Sequence, residues 1–331
     1  MIDLTERKVL VTGGCGMIGI QLATQLADVE NAVVYVTDLQ EKKPKELESI
    51  SYHRADLNDP EQAAMVFALV RPDYVFHLAG AKGGTGIGRT KSLTFLLANL
   101  RCTMNVVNAS IGSAKRLLFT SSVGAYPGSK SLFKESDAWA GDPHPSDYWG
   151  GWSKRYGELM CRAAAEQYEF DFVAVRPTNV FGPHDRFDVE TGMVIPALIT
   201  RLEDGENPLV LRCNKNAMRD FLYAGECARG MIAAMKNGER GEIYNLGVGS
   251  PVYVARIAEI LCGIYGVKLE VNHVEDGAPQ IRCMDMAKSK DQLGFYPPPN
   301  GAINKQLKDT VAWYKANKGL VKFDPFKESV A

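Results

Sequence analysis

The first half of the chain alternates short apolar runs with longer segments in which apolar residues recur every three or four positions. The apolar runs are rich in β-branched and aromatic residues and are bounded by turn formers, as buried strands are. They are KVLVT, AVVYVT, DYVFHLA, RLLFTSS and FVAVRP. The segments with helical spacing are IGIQLATQLAD, PEQAAMVFALV, LTFLLANLRCTMNVVNAS and SKRYGELMCRAAAEQY. Strands that alternate with helices form βαβ units, so the pattern predicts an α/β fold with a doubly wound parallel sheet.

The pattern loosens after Pro177. Gly, Pro and Asn become more frequent, and helical segments such as VIPALITRL and ECARGMIAAM are separated by irregular stretches. A chain of 331 residues is long enough for two domains. We therefore expect a large α/β domain in residues 1–178 and a smaller, mostly helical part in residues 179–331. Some segments of the second part are expected to return to the first.

Charge and cysteine usage exclude several classes of protein. Lys plus Arg number 38 and Asp plus Glu number 39, so the net charge of -1 gives no reason to expect a nucleic acid or an anionic membrane as partner. The first residues lack the layout of a signal peptide, and no apolar run is long enough to span a bilayer. The seven cysteines lack the paired spacing of a disulfide frame or a metal site. We expect a cytoplasmic protein without a metal.

A glycine-rich turn follows the first predicted strand. VLVTGGCGMIG places Gly13, Gly16 and Gly19 between a strand and a helix, where backbone N–H groups can approach a pyrophosphate. Such a triplet alone is also found in ordinary strand–helix turns. The next strand ends at Asp38, about 20 residues beyond the last glycine, as a dinucleotide site requires. A carboxylate there can bind the adenosine ribose and would repel a 2′-phosphate, so the sequence favours NAD over NADP.

Several motifs together resemble one family. TGGCGMIG, ADL at 55–57, HLAG, TSSVGAY, RPTNVFGP and RDFLYAGE occur in the order seen in extended short-chain dehydrogenases/reductases. These enzymes are nucleotide-sugar epimerases, dehydratases and reductases, and the resemblance covers nearly the whole chain. PTNVFGPHDRFDVETGMVIPALI and LAGAKGG look most like the GDP-fucose synthase branch. The resemblance implies a Rossmann sheet and an NAD-dependent epimerase or dehydratase that transiently oxidises a nucleotide-linked sugar.

The resemblance also implies an assembly and a set of site residues. Relatives pair through two helices that correspond to the apolar faces around 93–107 and 156–164, so a homodimer is expected. The cofactor contacts that it implies are Gly13, Gly16, Met17, Ile18, Gly19, Asp38, Asp56, Leu57, Ala79, Gly80, Lys154 and Pro177. The substrate contacts that it implies are Lys82, Ser122, Asn179 and Arg219.

Each of three such residues has an implied role. Ser122 would hydrogen-bond the reacting oxygen of the sugar, and Lys154 the nicotinamide ribose. Arg219 would lie near the diphosphate, where the planar fork of a guanidinium suits phosphate oxygens. The plainer alternatives are a serine that only satisfies loop backbone and a lysine that is only solvated.

Two positions depart from the family. Gly150 stands four residues before Lys154, where relatives carry the tyrosine that donates or accepts a proton. That spacing places a phenol and an ammonium on one helix face, and the ammonium makes the phenol a better base. Met193 stands where GDP-fucose synthase has a histidine for its epimerisation step. Gly150, Met193 and Asp38 together argue against an NADPH-consuming fucose synthase. That enzyme remains the alternative.

Three explanations of Gly150 are open. It is an engineered substitution, or the mark of a degenerate relative that binds a nucleotide sugar without turnover, or the sign that another group transfers the proton. We favour the third. Gly150 and Gly151 are poor residues for a helix interior, so we expect the regular helix to begin after Gly150, with Ser146 or Asp147 as its cap. Tyr148 would then lie in a flexible approach loop and serve as the third catalytic residue; the alternative is an aromatic anchor.

Overall fold

The structure is a computed structural model that describes residues 1–81, 91–275, 280–299 and 302–318, so Lys82 lies outside the described residues. The described strands are β1 (Lys8–Thr12), β2 (Val33–Asp38), β3 (Ser51–Arg54), β4 (Tyr74–His77), β5 (Arg116–Thr120), β6 (Leu132–Phe133), β7 (Phe172–Pro177), β8 (Asn179–Phe181), β9 (Leu209–Cys213), β10 (Met218–Arg219), β11 (Phe221–Tyr223), β12 (Ile243–Leu246), β13 (Val252–Tyr253), β14 (Leu269–His273) and β15 (Ile281–Met284). The described α-helices are α1 (Met17–Asp28), α2 (Pro60–Val70), α3 (Ser92–Ser110), α4 (Tyr148–Tyr168), α5 (Val194–Glu203), α6 (Ala224–Asn237), α7 (Val254–Tyr265), α8 (Ala287–Leu293) and α9 (Ile303–Ala316).

A seven-stranded sheet lies at the centre of the fold. Its order is β12-β7-β5-β4-β1-β2-β3, and each neighbouring pair is parallel. The chain moves outward from β1 in one direction through β2 and β3, and in the other through β4, β5 and β7. The predicted doubly wound sheet is therefore confirmed. Ligands of such sheets bind at the carboxyl ends of the strands, where the strand order reverses, here between β1 and β4.

Helices cover both faces of this sheet. On one face, α1 and α6 pack together and contribute residues such as Leu22 and Met231 to a buried cluster. On the other, α2, α3 and α4 contribute Phe67, Val106 and Cys161 to a second cluster. Strands β4 and β5 are buried along their whole length because helices lie on both sides. This explains why apolar residues follow one another inside both strands instead of alternating with polar ones.

The chain beyond residue 178 builds a third apolar cluster and also completes the central sheet. The cluster lies among α5, α7, α9 and β9, with Ile199, Leu211, Leu261 and Leu307 buried in it. A four-stranded sheet of order β13-β10-β15-β6 lies in the same part of the chain and takes β6 from the first half. Strand β12 pairs with β7 at the edge of the central sheet. The C-terminal segments thus contribute both to the third apolar cluster and to the central sheet.

A buried ion pair ties α4 to the sheet. Nε and Nη2 of Arg176, on β7, donate to the two carboxylate oxygens of Glu158, on α4, at 2.8 and 2.7 Å, and both side chains are 1% exposed. The hydroxyl of Ser121 donates to the same carboxylate at 2.5 Å. Breaking such a buried pair costs about 3–5 kcal/mol because one charge is left uncompensated. The pair therefore holds α4 against the strand end that carries Ser122.

The helices of the described residues are all too short or too polar to cross a membrane. Those residues also contain no group of three or more His, Cys, Asp or Glu side chains placed to hold a metal ion. Each of the seven cysteines is a buried free thiol.

Candidate active site

The glycine turn between β1 and α1 has no room for a side chain at Gly13, and the start of α1 has none at Gly19. Gly13 has a left-handed backbone (φ 68°), and a Cβ built on it would lie 2.7 Å from the backbone nitrogen of Ala79. A Cβ on Gly19 would lie 2.4 Å from the carbonyl oxygen of Gly13. Gly16 is the N-cap of α1 and offers no side chain to the first N–H groups of the helix. A helix N-terminus behind a bare backbone turn fits the pyrophosphate of a dinucleotide.

Asp38 lies at the end of β2, next to this turn. Its Oδ2 accepts a hydrogen bond from the backbone N–H of Cys15 at 3.0 Å, and its Oδ1 accepts one from Leu39 at 2.8 Å. Burial raises the pKa of the Asp38 carboxyl, and the backbone hydrogen bonds oppose that rise. The carboxylate is thus held beside the glycine turn, where it suits ribose hydroxyls and disfavours a phosphate.

The other predicted cofactor residues follow the carboxyl ends of neighbouring strands. Asp56 comes after β3 and accepts a hydrogen bond from the backbone N–H of Asn58 at 2.9 Å. The N–H of Ala79, after β4, donates to Thr12 Oγ1 at 3.2 Å. The remaining members are Met17 and Ile18 at the start of α1, buried Leu57, exposed Gly80 and Pro177 at the end of β7. One edge of the sheet therefore carries the whole set, and the residues present fit NAD.

Lys154 reaches the same edge from α4. Its Nζ lies 3.8 Å from the point where a Cβ on Gly80 would stand and 5.4 Å from the centroid of the Phe119 ring. Burial lowers the pKa of the Lys154 ammonium to about 8, and the neighbouring Cys102 and Glu158 oppose that fall. The ammonium is therefore placed beside the cofactor edge and releases its proton more readily than an ordinary lysine.

Asn99 is a site residue that the sequence did not reveal. Its Oδ1 lies 2.7 Å from the same Cβ point on Gly80. Its Nδ2 donates to the carbonyl oxygens of Phe95 at 2.9 Å and Ala81 at 3.3 Å, and the residue is 4% exposed. The amide therefore fixes the chain that leaves β4 beside Lys154. A polar residue on the buried face of a predicted helix was the available signal.

Ser122 follows β5 and caps the short 3₁₀ turn Val123–Ala125. Its Oγ accepts a hydrogen bond from the N–H of Gly124 at 3.0 Å. Ser122 therefore satisfies a backbone N–H of its own loop, as serines often do. The hydroxyl proton remains available to a ligand, because this bond uses only a lone pair. The residue is partly exposed, as a substrate contact must be.

Helix α4 begins at Tyr148, so the prediction that it starts after Gly150 is wrong. Both glycines lie inside the helix. A Cβ on Gly151 would stand 2.2 Å from the carbonyl oxygen of Gly124, so the absence of a side chain lets the helix pack directly on the Ser122 turn. This close packing outweighs the poor helix propensity of glycine.

The expected position of Tyr148 in an approach loop is wrong for the same reason. Two residues of an α-helix span about 200° around its axis, so Tyr148 projects from nearly the opposite side to Gly150. Its ring meets Trp149 and Trp152 edge-on, with centroids 5.1 and 6.4 Å away. These contacts favour the alternative role of Tyr148 as an aromatic anchor. The point where a Cβ on Gly150 would stand faces the Phe95 ring, at 3.5 Å.

The structure brings together a pair that sequence reasoning missed. Asp147 occupies the N-cap of α4, as predicted, but its carboxylate makes no capping hydrogen bond. Its Oδ2 instead lies 2.6 Å from Nη1 of Arg282, on β15. The carboxyl carbon of Asp147 and Oγ of Ser122 lie 3.8 and 3.5 Å from one point, the Cβ position of Gly124. Because the two charges come from distant parts of the chain, no local motif could indicate them.

Two of the predicted substrate residues lie in the C-terminal part. Asn179 begins β8, and its Nδ2 donates to the carbonyl oxygen of Asp220 at 3.0 Å. Arg219 lies on β10, and its register partner on β15 is Arg282, so the two arginines stand side by side. Lys82, the remaining candidate, belongs to the residues that are not described.

The comparison with known families identifies the family of the chain. The profile of the NAD dependent epimerase/dehydratase family matches residues 9–247. The chain belongs to this family. It is an NAD-dependent enzyme of the extended short-chain dehydrogenase/reductase type, as the sequence motifs predicted, and the glycine turn and Asp38 fit that cofactor.

Individual relatives cover nearly the whole chain. It is 28% identical over 320 residues to probable GDP-L-fucose synthase 1 of Oryza sativa subsp. japonica, covering 94% of this chain and 92% of the relative. It is 27% identical to dTDP-4-dehydro-6-deoxy-D-allose reductase of a Streptomyces species, covering 94% and 97%. Among solved structures, UDP-glucose 4-epimerase of Thermotoga maritima with UDP-glucose has a TM-score of 0.81 and 26% identity, covering 94% and 99%.

Proposed function

We propose that the chain epimerises or dehydrates a nucleotide-diphosphate sugar by transient oxidation of one sugar carbon. The observation that supports this most is that Ser122 follows β5, Lys154 reaches Gly80 after β4 and the glycine turn follows β1, so all three lie at the carboxyl ends of neighbouring strands. A hydroxyl for the reacting oxygen and a cation for the ribose thus flank the place where a nicotinamide would lie. When bound, NAD supplies the hydride acceptor and later returns the hydride.

Side chains of the protein bind and orient the sugar nucleotide and the cofactor. The Ser122 hydroxyl donates to the reacting oxygen of the sugar, and the Lys154 ammonium donates to the ribose. Arg219 binds the diphosphate with its guanidinium fork, and Asn179 contacts the sugar side. We also propose the division into an NAD-binding part, residues 1–178, and a substrate part, residues 179–331.

A GDP-fucose-synthase-like epimerase/reductase is the second candidate, and the sequence identity to such a relative favours it. Two observations weigh against it. Met193, at the N-cap of α5, is 39% exposed and has no proton to transfer. The carboxylate of Asp38 opposes the 2′-phosphate of NADPH.

A panel of UDP-, GDP- and dTDP-linked hexoses, incubated with the protein and NAD, tests the proposal. We expect an isomerised or dehydrated sugar by nuclear magnetic resonance, without net consumption of NAD. Ser122→Ala and Lys154→Ala should each cut turnover at least about tenfold. Net oxidation of NADPH would favour the second candidate. Binding of a sugar without any product would identify a degenerate relative.

We further propose a cytoplasmic homodimer. Four large apolar side chains on neighbouring helices are exposed in the single chain: Leu93 (67%) and Met104 (46%) on α3, and Tyr156 (44%) and Leu159 (41%) on α4. Pairing of these helices with a second copy would bury them. The seven free thiols suit a reducing compartment. Sedimentation of the protein and of Leu159→Glu tests the assembly: the unaltered chain should be dimeric and the variant monomeric.

A further inference from the structure

The carboxylate of Asp147 is directed away from the helix that it begins. An aspartate at an N-cap ordinarily accepts a hydrogen bond from the second or third N–H of the helix. Asp147 makes no such bond. Its Oδ2 pairs with Arg282 at 2.6 Å, and its Oδ1 accepts no hydrogen bond from the described part of the chain. One oxygen is anchored and the other is available.

The same carboxylate and Ser122 both lie near Gly124. Gly124 carries no side chain, and the space at its Cβ position is shared by two groups. The carboxyl carbon of Asp147 lies 3.8 Å from that position and Oγ of Ser122 lies 3.5 Å from it. The two groups therefore border one space, and a sugar hydroxyl that occupies it would lie between Ser122 and Asp147.

Arg282 is built to hold this carboxylate from one side. Its residue is 8% exposed, and its Nε is buried without a partner among the described residues. Its Nε therefore takes no part in the pairing, unlike the Nε of Arg176, which with Nη2 grips both oxygens of Glu158. Its backbone is fixed in β15 between β10 and β6. The cation keeps Asp147 oriented and leaves Oδ1 uncommitted.

We propose that Asp147 accepts the proton of the sugar hydroxyl in place of the tyrosine that Gly150 lacks, with Arg282 as its positioning residue. The proposal rests on the proposed function. The O–H bond of the sugar breaks and its proton passes to Oδ1 of Asp147. The electron pair of that bond forms the C=O double bond while the hydride on the same carbon leaves for NAD. Return of the hydride takes the proton back.

A carboxylate suits this position for an electrostatic reason. A phenol must be helped by a neighbouring ammonium to act as a base near neutral pH, whereas a carboxylate is already ionised there. The four-residue spacing to Lys154 is therefore no longer required. Glycine at 150 becomes compatible with catalysis, and Lys154 keeps only its contact with the ribose.

Substitution of Asp147 tests the proposal. With the hexose panel and saturating NAD, Asp147→Asn should lower kcat at least about a hundredfold, as expected for a positioned base. Formate added to Asp147→Ala should restore at least about tenfold of the loss. Asp142→Asn, an exposed acid of the same segment, should stay within about threefold of the unaltered protein. Thermal melting and calorimetric affinity for NAD, both unchanged, show that the variants are folded.

Arg282 is tested through its coupling to Asp147. Arg282→Gln should lower kcat, and the double variant Asp147→Asn/Arg282→Gln should be no slower than Asp147→Asn alone, because the arginine acts only through the carboxylate. Additive losses would overturn the positioning role. They would show that Arg282 contributes separately.

The outcomes also separate this proposal from the proposed function. If the unaltered protein turns over a sugar and Asp147→Asn keeps a rate within about threefold, Asp147 is not the acceptor and the function stands. If the unaltered protein is inert and Gly150→Tyr turns over a sugar, Asp147 cannot replace the tyrosine and the proposal is overturned. If both proteins bind NAD yet neither converts any sugar, both proposals are wrong.

Discussion

The Phe95 ring lies 3.5 Å from the point where a Cβ on Gly150 would stand, an ordinary van der Waals distance. The neighbouring glycine is different, since a Cβ on Gly151 would lie 2.2 Å from the carbonyl oxygen of Gly124. The surroundings therefore require glycine at position 151 but not at position 150. Position 150 tolerates a small side chain, and position 151 excludes every side chain.

This contrast predicts opposite effects of alanine. Gly150→Ala should raise the free energy of unfolding by roughly 0.5–1 kcal/mol, because alanine favours the helix and meets no clash. Gly151→Ala should lower it by about 1–3 kcal/mol, because backbone must move to admit the methyl group. Urea unfolding of the two variants measures both. A loss of stability in Gly150→Ala would show that the space beside Phe95 is closed.

Asp38 should set the cofactor preference. Asp38→Ala removes the carboxylate that repels a 2′-phosphate, so the ratio of NADH to NADPH affinity should fall toward one. Calorimetric titration of both cofactors into both proteins measures this ratio. Tighter binding of NADPH than NADH by the unaltered protein would refute the assignment.

Tyr148→Phe should leave turnover within about twofold of the unaltered protein. The tyrosine projects away from Gly150 and packs against Trp149 and Trp152, and a phenylalanine keeps those edge-on contacts. Steady-state rates on the sugar identified by the panel give the answer. A loss similar to that expected for Asp147→Asn would return the proton transfer to the phenol.

Acid should destabilise the fold through His77. This residue ends β4, its Nδ1 lies 2.8 Å from Thr12 Oγ1, and burial lowers the pKa of the ring from 6.5 to about 3. Below pH 6.5 the unfolded chain binds a proton at His77, whereas the folded chain leaves the ring neutral. The free energy of unfolding therefore falls as the pH decreases from about 6.5 to about 3. His77→Asn should flatten the dependence of the free energy of unfolding on pH in that interval. An unchanged slope would show that other groups cause it.

The sheet and the cofactor edge could be predicted because their signals are local. Apolar runs, helical spacing and the position of Asp38 after Gly19 are all properties of neighbouring residues. Two features escaped for physical reasons. The start of α4 was misplaced because propensity counts against Gly151, whereas contact with a distant turn makes glycine necessary there. The pair of Asp147 and Arg282 exists only after β15 is brought beside α4.

Glu158 fixes the positions of Lys154 and Ser122 relative to each other, but it does not fix those of the proposed substrate residues. One carboxylate binds Arg176 of β7 and the hydroxyl of Ser121, so the helix that carries Lys154 and the strand end that carries Ser122 move as one body. The distance between Lys154 and Ser122 therefore stays the same when other parts of the chain are exchanged. Arg219 and Asn179 lie outside that unit. A chimera that takes its C-terminal part from a relative, with α6, β12 and β15 retained, should accept a new sugar on an unchanged redox centre.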